Sequence, residues 1–236
     1  MLEQIKLNLY FFWKTSWMTL LIFWLIYAGF VLFMLLITFS SDGGIEMMGV
    51  NTFPSMIFFV IFGVYFFRET FSNVIKFGIT RMSYYVSLMI YIVLFSILMT
   101  TISQLFIKLI ESLIELFNIT NFTFTGIDLN MIENISQWEF ILYEALIYIL
   151  LFLLSLLFAS IFYRFGLKVG FLTLLVFPLA FVFKDVAEII FDALAYLLIG
   201  SEKYQAFYFL IPYLVLALLL LLLTKRLSVV DQVTYK

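Results

Sequence analysis

Phe67-Arg68-Glu69-Thr70-Phe71-Ser72-Asn73-Val74-Ile75-Lys76-Phe77-Gly78-Ile79-Thr80-Arg81-Met82-Ser83-Tyr84-Tyr85 is a polar, basic stretch between two apolar runs, and its reading decides the fold. The run before it, about 53–67, opens with Pro54, a residue suited to a first helical turn. The run after it stays compatible with helix from Met82 to Phe117. A basic segment so placed joins two membrane crossings on one side of the bilayer. Within it, Glu69 to Lys76 reads as a short amphipathic helix and Gly78 as its C-terminal stop. Arg81 anchors the next helix at the interface, its stem along apolar surface and its charge in water. Val74, Ile75, Phe77 and Ile79 then form an apolar surface beside three cations. Such a patch suits a protein partner. A loop resting on lipid headgroups is the other reading, and the residues alone leave both open.

Working outward, 65% of the 236 residues are hydrophobic and only 12% are charged, which excludes a water-soluble fold. The pattern predicts an all-α membrane protein, a single domain over 1–236 with six transmembrane helices. An interfacial helix over 3–16 comes first, followed by spans at about 17–39, 53–67, 82–110, 138–163, 169–190 and 206–224. In the first of these elements, Lys6, Asn8 and Lys14 interrupt an apolar run, and Trp13 and Trp17 mark headgroup depth. The helix beginning near Met82 has 36 candidate residues, about 54 Å against a hydrocarbon core of about 30 Å, so it projects beyond the far surface or bends there. Its far end is amphipathic, with Lys108, Glu111 and Glu115 on one face and Ile107, Ile110, Ile114 and Phe117 on the other. Tyr163 to Lys168 reads as a tight basic turn. Pro178 breaks the fifth span, and 184–204 reads as a re-entrant or surface helix. The Asn/Thr-rich loop over 118–137 holds three N-x-[ST] matches, at Asn118, Asn121 and Asn134. They matter only in a glycosylating secretory pathway.

The charges sort by side. One set of loops carries Lys6, Lys14, Arg68, Lys76, Arg81, Arg164, Lys168, Lys225, Arg226 and Lys236 against Glu3, Glu69 and Asp231, ten cations against three acids. The other carries Lys108, Lys184 and Lys203 against the remaining twelve acids. The Lys/Arg excess marks the first side, with both termini, as cytoplasmic. The chain has no cysteine and no histidine. Disulfides, thiolate zinc or iron–sulfur sites, HExxH chemistry and Ser-His dyads are therefore excluded. There is no GxxxxGK[ST] motif and no basic run of the kind that binds nucleic acid. Metal sites and catalytic residues are not expected.

Ionisable groups inside the apolar runs are the remaining candidates. Glu144 lies about 9 Å along its helix from Trp138. Tyr148, Ser155 and Ala159 continue its face as a polar, small-residue stripe, and Ser96, Thr100 and Ser103 form another on span three. Glu144 either contacts a transported substrate or pairs with Lys184 or Lys108. Glu111, Glu115, Glu188 and Asp192, if the ends of spans three and five meet, would form an acidic mouth that concentrates cationic amphipathic peptides. The bland reading is a set of solvated helix faces.

The segment 67–85 resembles the matching region of the small ABC-2 type permeases, the membrane subunits of ATP-binding-cassette exporters. Glu69 stands where that family has an acidic residue just after span two. Gly78-Ile79-Thr80-Arg81 stands in its Gly-x-[Ser/Thr]-Arg turn, and Tyr84-Tyr85 at its aromatic start to span three. The six-span order and the interfacial N-terminal helix extend the likeness to nearly the whole chain. Residues 86–90, Val-Ser-Leu-Met-Ile, lack the basic residue often found there. The resemblance implies that Asn73, Val74, Ile75, Lys76, Phe77, Gly78, Ile79, Thr80 and Arg81, with Glu69 before them, are a coupling element docking on a separate ATPase subunit. ATP and magnesium would bind that partner, with no cofactor on this chain. A second permease copy or a paralogue would complete the path in the cell membrane. Small systems of this kind resemble exporters of membrane-active or antimicrobial peptides. An ATPase-independent sensor, assembly partner or channel-like protein is the alternative.

Overall fold

The computed structural model describes residues 1–40, 47–50, 52–125, 136–180, 183–184, 188, 206–225 and 227. Its helices are α1 (Leu2–Ser40), α2 (Thr52–Lys76), α3 (Arg81–Leu116), α4 (Gln137–Ala180) and α5 (Leu210–Lys225), the last led in by a 3-10 turn, Ala206–Phe209. Two short strands, β1 (Met47–Val50) and β2 (Phe122–Thr125), pair in parallel with Met47 opposite Phe122. Among the described residues, five helices are long and apolar enough to cross a membrane. The protein is an all-helical membrane bundle with a small strand ribbon at one end.

Contacts fix the direction of each helix. Gln4 accepts from Ser83, Asn8 donates to Ser87, and both pairs are 79 residues apart. Farther along, Trp24 meets Phe106 and Phe39 meets Phe117, so α1 and α3 run parallel. Phe59 on Tyr148 and Phe67 on Tyr163 make α2 and α4 parallel as well. Two successive helix–strand–helix hairpins therefore lie side by side in the same sense, and the parallel ribbon follows from that. Helix α5 runs antiparallel to α3, because Tyr85 donates to the Ala217 carbonyl and Arg81 to that of Lys225. The starts of α1 and α3 and the ends of α2 and α5 thus share one end, called the near end below. The far end holds the ribbon and the 3-10 turn.

Lipid tails are as apolar as leucine, so these helices associate through packing and interhelical hydrogen bonds rather than water exclusion. The interior is correspondingly aromatic. Phe12, Phe59, Phe62, Phe66, Phe95, Phe152, Tyr84 and Tyr91 are all buried in one cluster. Phe62 stacks on Phe95 at 4.9 Å and Phe66 on Tyr91 at 5.0 Å, while Phe12 meets Tyr84 edge-on at 5.6 Å. Offset and edge-to-face pairs of this kind contribute about 0.5–1.5 kcal/mol each beyond burial. Gly63 allows α2 to approach α4 closely, because a Cβ there would strike the side chains of Ser155 and Phe152.

Several expectations need correction. The interfacial helix over 3–16 is not separate from span one, since α1 is one helix of 39 residues. Asn8, Phe12, Ser16 and Leu20 recur every four residues and all are buried, so Asn8 faces α3 rather than a lipid surface. Lys6 and Lys14 lie on the exposed side. Helix α2 continues past Phe67 to Lys76, so the segment 69–76 is its last two turns and not an independent short helix. The turn expected over 163–168 centres on Gly166, whose φ of 79° and ψ of 175° leave helical space. The Phe162 and Phe171 rings meet at 5.6 Å, and a Cβ on Gly170 would strike the Phe162 ring. Nine residues of straight helix would separate the two phenylalanines by about 13.5 Å, so the chain doubles back at Gly166. Helix α4 then runs past Pro178 to Ala180. Most of the segment 184–204 and the end of span five lie outside the described residues, as does Asn134.

Candidate functional site

Two places gather functional side chains. The first is the near-end turn. Gly78 takes a positive φ of 78° and donates its N–H to the Ile75 carbonyl at 3.0 Å, closing α2. Thr80 caps α3, its hydroxyl oxygen accepting from the Ser83 N–H at 3.2 Å. Asn73 donates to the Glu69 carbonyl at 2.8 Å, and Thr70 Oγ1 lies 3.0 Å from the Tyr84 hydroxyl, pinning the end of α2 to the start of α3. Arg81 reaches across to the carbonyl of Lys225 at 2.5 Å. The expected apolar surface is smaller than the sequence implied. Val74 is buried in the core, and Ile75 and Ile79 pack half-buried against it. Phe77 alone projects, 76% exposed, beside Lys76. The amphipathic reading placed Val74 outside because it ignored the α4 neighbour, Tyr163, that covers this face through Phe67 and Phe71.

The second place is Glu144, on α4 and fully buried. Its Oε1 accepts from the Ser103 hydroxyl at 2.7 Å and the Tyr148 hydroxyl at 2.6 Å, and its Oε2 from the Gln104 Nε2 at 2.7 Å. Ser55 of α2 hydrogen-bonds Tyr148 in turn. Neither lysine expected as a partner takes that role. Lys184 pairs with Glu188 at 3.7 Å, both well exposed, and Lys108 lies on the exposed face of α3. The carboxylate is thus held by neutral donors from two helices. Depth follows from the helix register. Ser16, beside Trp17, accepts from Tyr91 at 2.5 Å, and Ser103 is about 18 Å farther along α3. Glu144 thus lies about 18 Å from the level of Trp17 and about 9 Å from Trp138, well inside the apolar length of the bundle. Sequence reading found Glu144, Tyr148 and Ser103 but missed Gln104 and Ser55. The i, i+4 spacing of Glu144 and Tyr148 was legible, whereas the cross-helix partners depend on packing.

Three of the four far-end acids lie among the described residues. Glu111 and Glu115 are exposed on α3, Glu188 is engaged by Lys184, and Asp192 lies outside the described residues. A lipid-facing groove between α2 and α4, about 270 Å³, is lined by Met56, Ile57, Val60, Ile61, Ile147, Leu150 and Leu151. It has no polar group to orient a ligand. No group of three or more acids that could hold a metal ion is found among the described residues. No protein-family model, curated protein or solved structure matches the chain.

Proposed function

We propose that this protein is the transmembrane subunit of an ABC-2-type exporter. It couples ATP hydrolysis by separate ATPase subunits to the export of an amphipathic or hydrophobic substrate, a membrane-active peptide being the class its charges favour. The near end faces the cytoplasm of a cell membrane and carries both termini. A second copy or a paralogue completes the path. ATP and magnesium belong to the partner.

The observation that carries this reading is the turn from Lys76 to Arg81. Phe77 stands 76% exposed on a turn closed by Gly78 and capped by Thr80. Arg81 ties the same turn to the end of α5. A coupling element has to be stiff, because a load on its tip must move whole helices. A push on Phe77 passes into α2 and α3 directly and into α5 through Arg81. The near-end location of Arg68, Lys76, Arg81 and Lys225 agrees with the positive-inside bias and adds a cationic rim for an acidic partner surface.

Phe77→Asp tests it. A desolvated, unpaired charge in a docking contact should weaken association at least about tenfold, or about 1.4 kcal/mol. Because Phe77 supports no core contact, the variant should insert and fold as wild type while losing co-purification of its ATPase and stimulated ATP hydrolysis. Retention of both at wild-type level would remove the coupling role and favour the ATPase-independent reading.

A further inference from the structure

We infer that Glu144 is a protonation site within the membrane, supplied from the far end of the bundle by a file of buried hydroxyls. The inference does not depend on the ATPase reading and needs only that the bundle crosses a bilayer.

A buried carboxylate inside the membrane costs up to about 2.5–3.5 kcal/mol on insertion scales unless something neutralises it. The three hydrogen bonds from Ser103, Gln104 and Tyr148 spread its charge but do not cancel it. The elements packed on α4 were each considered as a source of countercharge. Helix α3 supplies Ser103 and Gln104, with Lys108 on its exposed face. Helix α2 supplies Ser55, and α5 supplies Tyr213, whose hydroxyl is engaged by the Leu146 carbonyl at 2.6 Å. On α4 itself, Tyr148 is a donor to Glu144, buried Tyr143 packs on Phe209, and Glu139 is exposed at the start of the helix. None of the described residues brings a positive charge to the carboxylate. A hard metal cation is also poorly served, since it wants six or more oxygens and Gln104 presents its Nε2. The proton is the cation that fits.

A second, independent observation gives it a route. The hydroxyl oxygens of Thr52, Ser96 and Thr100 are buried and have no hydrogen-bond partner among the described residues. Buried hydroxyls without partners are costly and uncommon. Most of the other serines and threonines in these helices bond a carbonyl on their own helix, as Thr70, Thr101 and Ser112 do. Three of the four such hydroxyls lie within two helical turns of this site, the fourth being Tyr163 at the near end. Thr52 lies one turn from Ser55 toward the far end, and Thr100 and Ser96 lie one and two turns below Ser103 on α3. The order Thr52, Ser55, Tyr148, Glu144, Ser103, Thr100, Ser96 sets hydroxyls on both sides of the carboxylate, with unbonded steps of about one helical turn at Thr52, Thr100 and Ser96 that a water in the file would bridge. Each hydroxyl both donates and accepts, which is the property a proton relay requires. Toward the near end the file stops at the mutually packed rings of Phe59, Phe62, Phe95 and Phe152. The near-end side is therefore closed by aromatic packing, and the exchange proposed here runs through Thr52 and Ser55.

The step is a proton transfer. A hydronium at the far end gives up a proton and becomes water; along the file each O–H bond that breaks is replaced by one that forms, and the proton arrives from Tyr148 at Glu144 Oε1, turning the carboxylate into a carboxyl group. Its new O–H is a donor where Ser103 and Tyr148 now donate, so one of those hydroxyls must turn to accept. Protonation consequently rearranges the hydrogen bonds around Glu144, which gives the site a mechanical output.

The test uses the intact protein in lipid vesicles with dicyclohexylcarbodiimide, an apolar reagent that adds to a protonated carboxyl group. Peptide mapping by mass spectrometry reads modification at Glu144 across a pH series. The expected result is modification that declines several-fold as pH rises, unaffected by sodium. Modification that sodium blocks would replace the proton with a metal cation and overturn the inference. So would no modification at any pH, or a yield independent of pH, either of which marks a permanently structural group. The route is read separately by infrared spectroscopy, from the rate at which the Glu144 carboxyl band, identified by its loss in Glu144→Gln, shifts on transfer to D2O. Thr52→Val with Ser55→Ala should slow the shift several-fold. Phe62→Leu, which thins the seal without touching the file, should leave far-end exchange unchanged. Equal rates in wild type and the Thr52/Ser55 variant would overturn the file.

Discussion

Gly63 and Glu144 are the residues at which single atoms have the largest consequences. A Cβ at Gly63 would meet Ser155 and Phe152, whereas one at Gly29 meets nothing within 4 Å. Gly63→Val should therefore lower stability by about 1–3 kcal/mol through overpacking at the α2–α4 contact. Gly29→Ala should be neutral or slightly stabilising, because alanine is the better helix former. Thermal denaturation in one detergent, read by loss of monodisperse protein, compares the two. At Glu144 the polar partners decide the outcome. Glu144→Ala strands the Ser103, Gln104 and Tyr148 donors, a cost of about 1–3 kcal/mol, while Glu144→Gln keeps an acceptor in place and should lose less. Equal loss in the two variants would mean that the hydrogen bonds add nothing to the packing.

At the scale of elements, the turn between α2 and α3 and the placement of α1 matter most. The turn rests on a positive φ at Gly78 and a cap at Thr80. Gly78→Ala puts a side chain into left-handed backbone at a cost of about 1–2 kcal/mol, and Thr80→Ala removes a cap of about 1 kcal/mol. Both should loosen the tip without disturbing the buried core. The expected signature is faster proteolysis at 76–81 together with weaker ATPase stimulation, against an unchanged melting profile for the rest of the bundle. Helix α1 is held to α3 by Asn8 on Ser87 and Ser16 under Tyr91. Asn8→Ala should cost only about 0.6 kcal/mol, the usual size of an interhelical hydrogen bond in a membrane. A much larger loss in a denaturation series would show that Asn8 also registers the two helices.

For the whole molecule, the parallel pairing of successive hairpins places the ends. A reporter at Lys76 and one after Lys225 should read the same compartment, the cytoplasm, while one at Glu115 or Asn121 should read the opposite side. Opposite readings at Lys76 and Lys225 would overturn the helix directions. The far-end acids carry a separate prediction. Since Glu111 and Glu115 are exposed and Glu188 is paired, any attraction for cationic peptides has to be local, within a Debye length of about 8 Å at physiological salt. Neutralising Glu111, Glu115, Glu188 and Asp192 together should weaken peptide export most at low salt and leave ATPase docking intact. An unchanged peptide phenotype in the folded variant would leave positive-inside sorting as the whole explanation of the asymmetry.

The sequence by itself determined what depends on composition and short spacing. Long apolar runs cannot satisfy their backbone in lipid except as helices, so the five long apolar helices found among the described residues, and their order, were legible. Gly78 and Gly166 were legible as turns because a positive φ is cheap for glycine alone. Only the tertiary structure decided which polar residues face inward. Asn8 read as part of a surface helix until Ser87, 79 residues away, gave it a partner. Val74 read as exposed until α4 covered that face. Gln104 and Ser55 gained meaning only when α3 and α2 were set against Glu144 and Tyr148. Each of these depends on how helices distant in sequence rotate against one another. In an interior where apolar residues face lipid and protein alike, no one-dimensional hydrophobic pattern fixes that rotation.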